Sequence, residues 1–172
     1  MAESKVVRVG TRGSSLARRQ TDQVMEQLRA SHPELEFEVN IIRTHGDANA
    51  NAPLAGMGLG VFVKEIEQQL LSGQLDLAVH SLKDMPTQLP SGLSIGAVLE
   101  REDPRDVQVN RWHYPLSDLP PETRIGTSSP RRVSQLRHNC PQVKVVPIRG
   151  NVETRLNKAQ GSECDGAILA AA

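Results

Sequence analysis

The sequence predicts an α/β fold that is built from two lobes. Short apolar or β-branched runs alternate with amphipathic helices along the 172-residue chain, which is typical of sheets joined by crossover helices. A charge run with an internal proline at residues 100–106 interrupts the alternation and fits a crossing between lobes. We therefore expect domain 1 at residues 1–101 and domain 2 at residues 102–172.

The first lobe opens with a strand, a turn and a helix. Residues 6–10 form a β-branched run closed by glycine, and Ser14 or Ser15 offers an N-cap for a helix to about Arg29. Gln20 and Thr21 interrupt the apolar face of that helix. We interpret both as sources of hydrogen bonds between elements rather than as ligand contacts.

The rest of the first lobe supplies one more helix and three more strands. Strict alternation at residues 35–42 predicts a strand with one wet face, and the run rich in Gly, Asn and Ala at residues 44–60 predicts a lid. A helix is expected at about residues 61–71, followed by Gly73 as the C′ residue. The side chains that this helix is expected to bury are Phe62, Ile66, Leu70 and Leu71. A buried strand is expected at residues 75–80, and the apolar run at 93–99 predicts one more strand.

The alternation restarts in the second lobe. Residues 124–126 end a short strand, Ser128 or Ser129 caps a helix, and Pro130 is well placed at its first position. A strand at 143–148, a helix at 151–160 and a strand at 166–170 follow.

Composition excludes several classes of function. Lys plus Arg and Asp plus Glu both number 20, and the chain has two Phe, one Trp and one Tyr, so neither a basic field nor a stacking platform favours nucleic acid. No apolar run approaches a membrane span, and no secretory signal opens the chain, so we expect a cytoplasmic protein with no membrane partner. The five histidines show no metal-site spacing, so no metal is expected.

Four segments carry the candidate chemistry, because each follows a strand at the edge where α/β sheets bind ligands. They are residues 10–15, 80–86, 126–132 and 149–155. If all four face one cleft, their hydroxyls, helix N-termini and guanidinium groups suit a ligand with several carboxylates or phosphates. Asp84 is the only carboxylate in them apart from Glu153, and a carboxylate there is suited to stabilise a developing cation or to relay a proton. Taken singly, the Arg131–Arg132 pair also fits an ordinary solvated helix start.

Together these segments resemble a known family. The resemblance rests on TRGSSLA at residues 11–17, VHSLKDMP at 79–86, REDPRD at 101–106, GTSSPRR at 126–132, and RGN at 149–151 with Thr154 and Arg155. In order and spacing they closely resemble the porphobilinogen deaminases, also called hydroxymethylbilane synthases, from about Val6 to Ala170. The chain is thus similar to the N-terminal portion of that family.

The resemblance implies a transferase of tetrapyrrole (heme and chlorophyll) biosynthesis. Such enzymes join four porphobilinogen units head to tail into hydroxymethylbilane, release ammonia each time, and begin on a dipyrromethane cofactor bound through a cysteine. It implies that Asp84 acts at the pyrrole nitrogens. It also implies a set of residues that hold the acetate and propionate groups of cofactor, substrate and product: Arg12, Ser14, Lys83, Thr127, Ser128, Ser129, Arg131, Arg132, Arg149, Gly150 and Arg155.

The resemblance further implies a fold whose first two domains are similar to type II periplasmic binding proteins. It leads us to expect a second lobe that is incomplete, a first domain without its C-terminal return segment, and no third domain. Neither Cys140 nor Cys164 matches the cofactor cysteine, so the chain alone is expected to be inactive, and we expect a monomer. The alternative from the residues themselves is a module that binds a polycarboxylate or tetrapyrrole without turnover.

Overall fold

The computed structural model describes residues 6–43 and 63–172 and divides the chain into two compact units. Unit 1 is Met1–Leu99 and unit 2 is Glu100–Ala172. The expected return segment, the incomplete second lobe and the missing third domain remain predictions.

Unit 1 is built on a parallel sheet of three strands in the order β2-β1-β3. The strands are β1 (Val6–Arg12), β2 (Glu36–Ile42) and β3 (Leu77–Ala78). Gly10 of β1 is in register with Asn40 of β2 and with Ala78 of β3. A side chain at Gly10 would come within 2.4 Å of Leu75, so this position admits only glycine without movement of the core.

Two helices and a short 3₁₀ turn complete the described part of unit 1. They are α1 (Ser15–Ser31), α2 (Lys64–Leu71) and the turn Leu82–Asp84. Ser14 caps α1, because its Oγ accepts a hydrogen bond from the Ala17 N–H at 3.3 Å. Gly73 has φ of +70°, as its place just after the C-cap of α2 requires. The core of the unit is aliphatic and contains Val9, Met25, Val63, Ile66 and Leu75.

Three expectations for unit 1 were wrong. The strand expected at 75–80 is only Leu77–Ala78 and is half-buried. Residues 93–99 form no strand, and Val98 is 67% exposed, because no described strand lies beside them to complete a ladder. Leu71 is exposed rather than buried. The lid expected at 44–60 and the buried Phe62 lie outside the described residues.

Unit 2 is built on a mixed sheet of four strands in the order β4-β7-β5-β6. The strands are β4 (Asp106–Asn110), β5 (Arg124–Gly126), β6 (Lys144–Val146) and β7 (Gly166–Ala170). Strands β5, β6 and β7 are parallel, whereas β4 runs antiparallel to β7 and pairs Asp106 with Ala170. The sequence did not predict β4, and the strand expected at 143–148 is shorter than predicted.

The helices of unit 2 are α3 (Pro130–Asn139) and α4 (Val152–Gln160), with a 3₁₀ turn at Leu116–Asp118. Ser129 is the N-cap residue of α3, and Pro130 follows it as predicted. Asn151 caps α4 and accepts a hydrogen bond from the Thr154 N–H at 2.8 Å. Cys140 and Cys164 are both buried and unbridged in two neighbouring apolar clusters.

Candidate functional site

In unit 1 the predicted residues meet at the carboxyl ends of β1 and β3. The register that pairs Gly10 with Ala78 brings the ends of both strands to one edge of the sheet. A small cavity of about 30 Å³ opens there, far below the roughly 300 Å³ of a site that encloses a whole ligand. Its polar lining residues, which we call the Asp84 group, are Arg12, Ser14, Gln20, His80, Ser81 and Asp84.

Two hydrogen bonds fix the turn that carries Asp84. Ser81 Oγ donates to Gln20 Oε1 of α1 at 2.6 Å, and the Asp84 N–H donates to the Ser81 carbonyl at 3.0 Å. Thr21, one residue further along α1, donates to Thr11 Oγ1 of β1 at 2.7 Å. The interpretation of Gln20 and Thr21 as sources of hydrogen bonds between elements is therefore confirmed.

His80 is held toward its neutral form. Burial lowers the pKa of the imidazole, the positive charge of Arg12 lowers it further, and Asp84 only partly offsets both. A neutral imidazole beside Asp84 has one nitrogen that donates and one that accepts a hydrogen bond. The cavity therefore presents a hydrogen-bond donor and a hydrogen-bond acceptor on His80, and the positive charge of Arg12, to a ligand.

The structure brings most of the predicted unit 1 residues together. Arg12, Ser14 and Asp84 line the same cavity, although the Ser14 oxygen is also used to cap α1. Lys83 is exposed on the 3₁₀ turn and does not line the cavity. Asp84 is itself exposed, so its carboxylate is accessible to a ligand.

In unit 2 the predicted arginines Arg131 and Arg132 share one carboxylate, Asp106. Arg131 Nη2 donates to Asp106 Oδ2 at 2.7 Å, and Arg132 donates to Oδ1 from Nε at 3.1 Å and from Nη2 at 2.8 Å. Burial raises the pKa of the Asp106 carboxyl, but the hydrogen bonds and charges of Arg132 and Arg131 together outweigh it, so the pKa is lowered overall. Asp106 is thus an ionised partner of both arginines.

A second cluster of positive charge surrounds Arg155. Its pKa is lowered by burial and by the charges of Arg132 and Arg149 nearby. Arg155 Nε donates to the Gly150 carbonyl at 2.9 Å, which orients the guanidinium group. Gly150 has φ of +111°, a conformation that favours glycine, and a side chain there would come within 2.5 Å of Thr154. We call Arg131, Arg132, Arg149 and Arg155 the arginine group.

Two of the three hydroxyl residues after β5 use their side chains in local hydrogen bonds. Thr127 is buried, and its Oγ1 accepts a hydrogen bond from the Ser129 N–H at 3.3 Å. Ser128 Oγ donates to the Ile148 carbonyl at 2.7 Å, which ties the loop to the chain after β6. Ser129 is half-buried at the N-terminus of α3 and makes no side-chain cap, so of the three it is the one placed to meet a ligand.

Sequence reasoning missed three residues that belong to these groups. Asp106 received no role because the strand that carries it, β4, was not predicted. His80 opens the candidate segment 80–86, but the sequence excluded only a metal-binding role for it and assigned it no other. Ser81 was part of a quoted segment, but only the structure shows that it is hydrogen-bonded to Gln20.

The described residues contain neither a metal site nor a membrane-spanning helix. In residues 6–43 and 63–172, no group of three or more His, Cys, Asp or Glu is arranged to hold a metal ion. None of the helices in this same part of the chain is long and apolar enough to cross a membrane.

A family model decides the relationship of the chain. The model, described as porphobilinogen deaminase, dipyromethane cofactor binding domain, matches residues 7–172. The chain belongs to the porphobilinogen deaminase family. Membership assigns it to a family of transferases of tetrapyrrole biosynthesis, and the resemblance inferred from its motifs is confirmed.

Relatives and a solved structure agree with this assignment. The chain is 50% identical over 167 residues to the porphobilinogen deaminase of Syntrophomonas wolfei, covering 96% of this chain and 55% of that protein. It is also 50% identical over 165 residues to that of Clostridioides difficile, covering 95% of this chain and 55% of the relative. The chain therefore spans about half the length of these curated relatives.

The fold has a counterpart in the periplasmic VFT2 domain of BvgS from Bordetella pertussis. The TM-score is 0.51 at 22% sequence identity, over 99% of this chain and 68% of that one. A likeness at this level of identity shows the fold alone. The predicted class, α/β of the periplasmic-binding-protein-like type II kind, is confirmed.

Proposed function

We propose that this chain supplies the substrate-binding and proton-handling groups of a porphobilinogen deaminase. In the proposed reaction, porphobilinogen units are joined head to tail into hydroxymethylbilane, and one ammonia leaves for each carbon–carbon bond formed. The substrate is porphobilinogen, a pyrrole with an acetate, a propionate and an aminomethyl group. The protein acts as a monomer in the cytoplasm, with neither nucleic acid nor membrane as partner.

The environment of Arg155 carries this proposal. A guanidinium group that is half-buried beside two others loses hydration and meets repulsion, which is why the Arg155 pKa is lowered. An anionic ligand relieves both penalties at once, because it restores hydrogen bonds and adds negative charge. The two carboxylates of each pyrrole unit supply that charge.

The family's cofactor, a dipyrromethane, fits the donors of this chain. The arginine group presents several N–H donors on Arg131, Arg149 and Arg155, and Ser129 adds a hydroxyl at the N-terminus of α3. These are the donors that carboxylates prefer. When bound, the cofactor supplies the first pyrrole ring to which porphobilinogen units are joined.

Asp84 is the proposed catalytic residue. Its exposed carboxylate follows β3, and it shares the cavity with Arg12 and His80. A carboxylate that accepts a hydrogen bond from a pyrrole N–H stabilises positive charge as it develops on the ring when ammonia departs. The same oxygen can accept a proton from the ring after the new bond forms.

The two cysteines of the chain are unsuited to anchor a cofactor. Cys164 is fully buried, and burial raises the pKa of its thiol, while Cys140 is 6% exposed inside the other apolar cluster. A thioether to a dipyrromethane requires an accessible thiolate. We therefore propose that these 172 residues alone do not turn over porphobilinogen.

The first experiment measures intact mass and turnover of the purified chain after incubation with porphobilinogen. We expect no covalent pyrrole adduct and no hydroxymethylbilane. Formation of either by the chain alone would refute the cysteine argument. Binding of uroporphyrin I without any turnover, even when the chain is part of a longer protein, would favour the polycarboxylate-binding module.

The second experiment tests Asp84 in a cofactor-loaded protein that contains this chain. Asp84→Asn keeps the shape and loses the charge, so we expect turnover to fall by about a hundredfold or more with binding of porphobilinogen largely kept. The matched control is Asp22→Asn, which removes the same charge from an exposed position on α1. Near-normal turnover of Asp84→Asn would remove Asp84 from the mechanism.

A further inference from the structure

Asp106 holds two adjacent arginines in different ways, although all three residues are on one face of unit 2. Arg132 donates to Asp106 from two nitrogens, and its third nitrogen, Nη1, donates to the Ile168 carbonyl at 3.1 Å. Its side chain is 14% exposed. The guanidinium group of Arg132 is therefore fixed to β4 and β7 through all three of its nitrogens.

Arg131 is bound to the same carboxylate only through Nη2, at 2.7 Å. A long contact of 3.5 Å links its Nη1 to Gln135 Oε1, and the side chain is 59% exposed. A guanidinium group held by one nitrogen keeps its outer N–H groups directed at solvent. Asp106 therefore orients the Arg131 side chain while it occupies only one of its nitrogens.

We propose that Asp106 is a positioning residue with two effects. It immobilises Arg132 against β4 and β7, and it orients the Arg131 side chain toward the carboxylates of the ligand. This inference rests on the proposed function, which supplies the carboxylate ligand. Arg132 then acts by its charge from a fixed position, and Arg131 contacts the ligand directly. Preorganised donors bind an anion more tightly than mobile ones, because less side-chain entropy is lost on binding.

The topology explains why an acid lies in a site for anions. Strand β4 runs antiparallel to β7, so its first residue, Asp106, lies at the edge where the parallel strands end. Helix α3 begins at that same edge, directly after β5. The Asp106 carboxylate of β4 thus reaches Arg131 and Arg132, which lie in the first turn of α3.

The test compares Asp106→Asn with Asp103→Asn in the 172-residue chain, using uroporphyrin I, an octacarboxylate, as the probe. Both variants remove one negative charge from an aspartate that is hydrogen-bonded to arginine, since Asp103 pairs with Arg105 at 2.9 Å. If Asp106 only reduced the positive charge, its removal would tighten binding of the anion. Positioning predicts the opposite sign: about a tenfold or greater loss of affinity for Asp106→Asn, and less than about a twofold change for Asp103→Asn.

Tighter or unchanged binding by Asp106→Asn would overturn the proposal. A second measurement on the unaltered chain covers the case in which that variant does not fold or the probe does not bind. Hydrogen exchange of arginine side chains by NMR should show the Arg132 Nε–H exchanging about tenfold or more slowly than that of Arg131, because only the former is hydrogen-bonded to Asp106. Equal exchange rates would refute the different roles of the two arginines. Unequal rates in an unaltered chain that does not bind uroporphyrin I would count against the proposed function alone.

Discussion

The Thr21 hydroxyl donates a hydrogen bond to the Thr11 hydroxyl over 2.7 Å, and both side chains are fully buried in unit 1. The same hydroxyl also lies 2.8 Å from the Ala17 carbonyl, so its single proton is shared between Thr11 of β1 and the preceding turn of α1. Thr11 directly precedes Arg12, the last residue of β1. The backbone that carries Arg12 is therefore held in place by the hydrogen bond between Thr11 and Thr21.

Thr21→Val should lower the free energy of unfolding by about 1–2 kcal/mol, because it leaves the buried Thr11 hydroxyl without its short partner. Replacing both partners removes the orphaned group. The double variant Thr11→Val/Thr21→Val should therefore cost less than the sum of the two single changes in denaturant unfolding. Additive costs would show that the two hydroxyls do not depend on each other.

Gln20→Ala should reduce turnover of a cofactor-loaded protein that contains this chain by about tenfold, with little change in stability. The reason is that Ser81 loses its 2.6 Å partner, and Ser81 begins the turn that carries Asp84. The exposed Gln23 of the same helix provides the control, Gln23→Ala. Steady-state kinetics with porphobilinogen decides the matter, and equal turnover by both variants would separate Gln20 from the reaction.

His80 should titrate below the pH of about 6.5 that an unperturbed imidazole shows, as followed by the ring-proton resonance in NMR. A folded-state pKa that is lowered makes the unfolded chain bind more protons in this range. Stability is thus fully present above about pH 6.5 and falls as the pH drops through the lowered folded-state pKa. His80→Gln should flatten that part of the stability profile, and an unchanged slope would contradict the expectation.

Asp165→Asn should destabilise unit 2 by about 1.5–3 kcal/mol at pH 7, because Arg124 loses two charged hydrogen bonds of 3.0 Å. The hydrogen bond from Arg124 lowers the Asp165 pKa. The stabilisation is therefore present above the unfolded pKa of about 3.9 and is lost as the pH falls through the lower folded-state pKa. Urea unfolding at pH 7 and pH 3 should show a difference from the unaltered chain that shrinks with acid. Asp103→Asn, which removes a carboxylate from an exposed ion pair, should leave the urea midpoint close to that of the unaltered chain.

Gly126→Ala should destabilise unit 2 by about 1–3 kcal/mol through overpacking. A side chain at this position would lie 2.7 Å from Ile148 and 3.0 Å from the sulfur of Cys164. Gly96→Ala is the matched control, since a side chain there would meet nothing within 4 Å. Equal thermal midpoints for the two variants would show that the core yields at no cost.

The sequence by itself determined most of the local structure. Ser14 before an amphipathic run placed the start of α1, Pro130 placed the start of α3, and a short apolar run placed β7. These signals act between residues within about four positions of each other, so they can be interpreted without knowledge of the fold. The sequence also indicated that Arg12 lies at the end of β1 and that Asp84 follows β3. The order of the motifs along the chain identified the family.

Only the tertiary structure decided which strands pair and which charges meet. The apolar run at 93–99 has the composition of a strand, but a strand exists only where a neighbour completes its ladder. Asp106 precedes Arg131 by 25 positions in the sequence. No local sequence signal shows that β4 runs antiparallel to β7 and so brings Asp106 to the start of α3. The partner of a charge is set by the direction and order of strands in the sheet, which depend on contacts between distant parts of the chain.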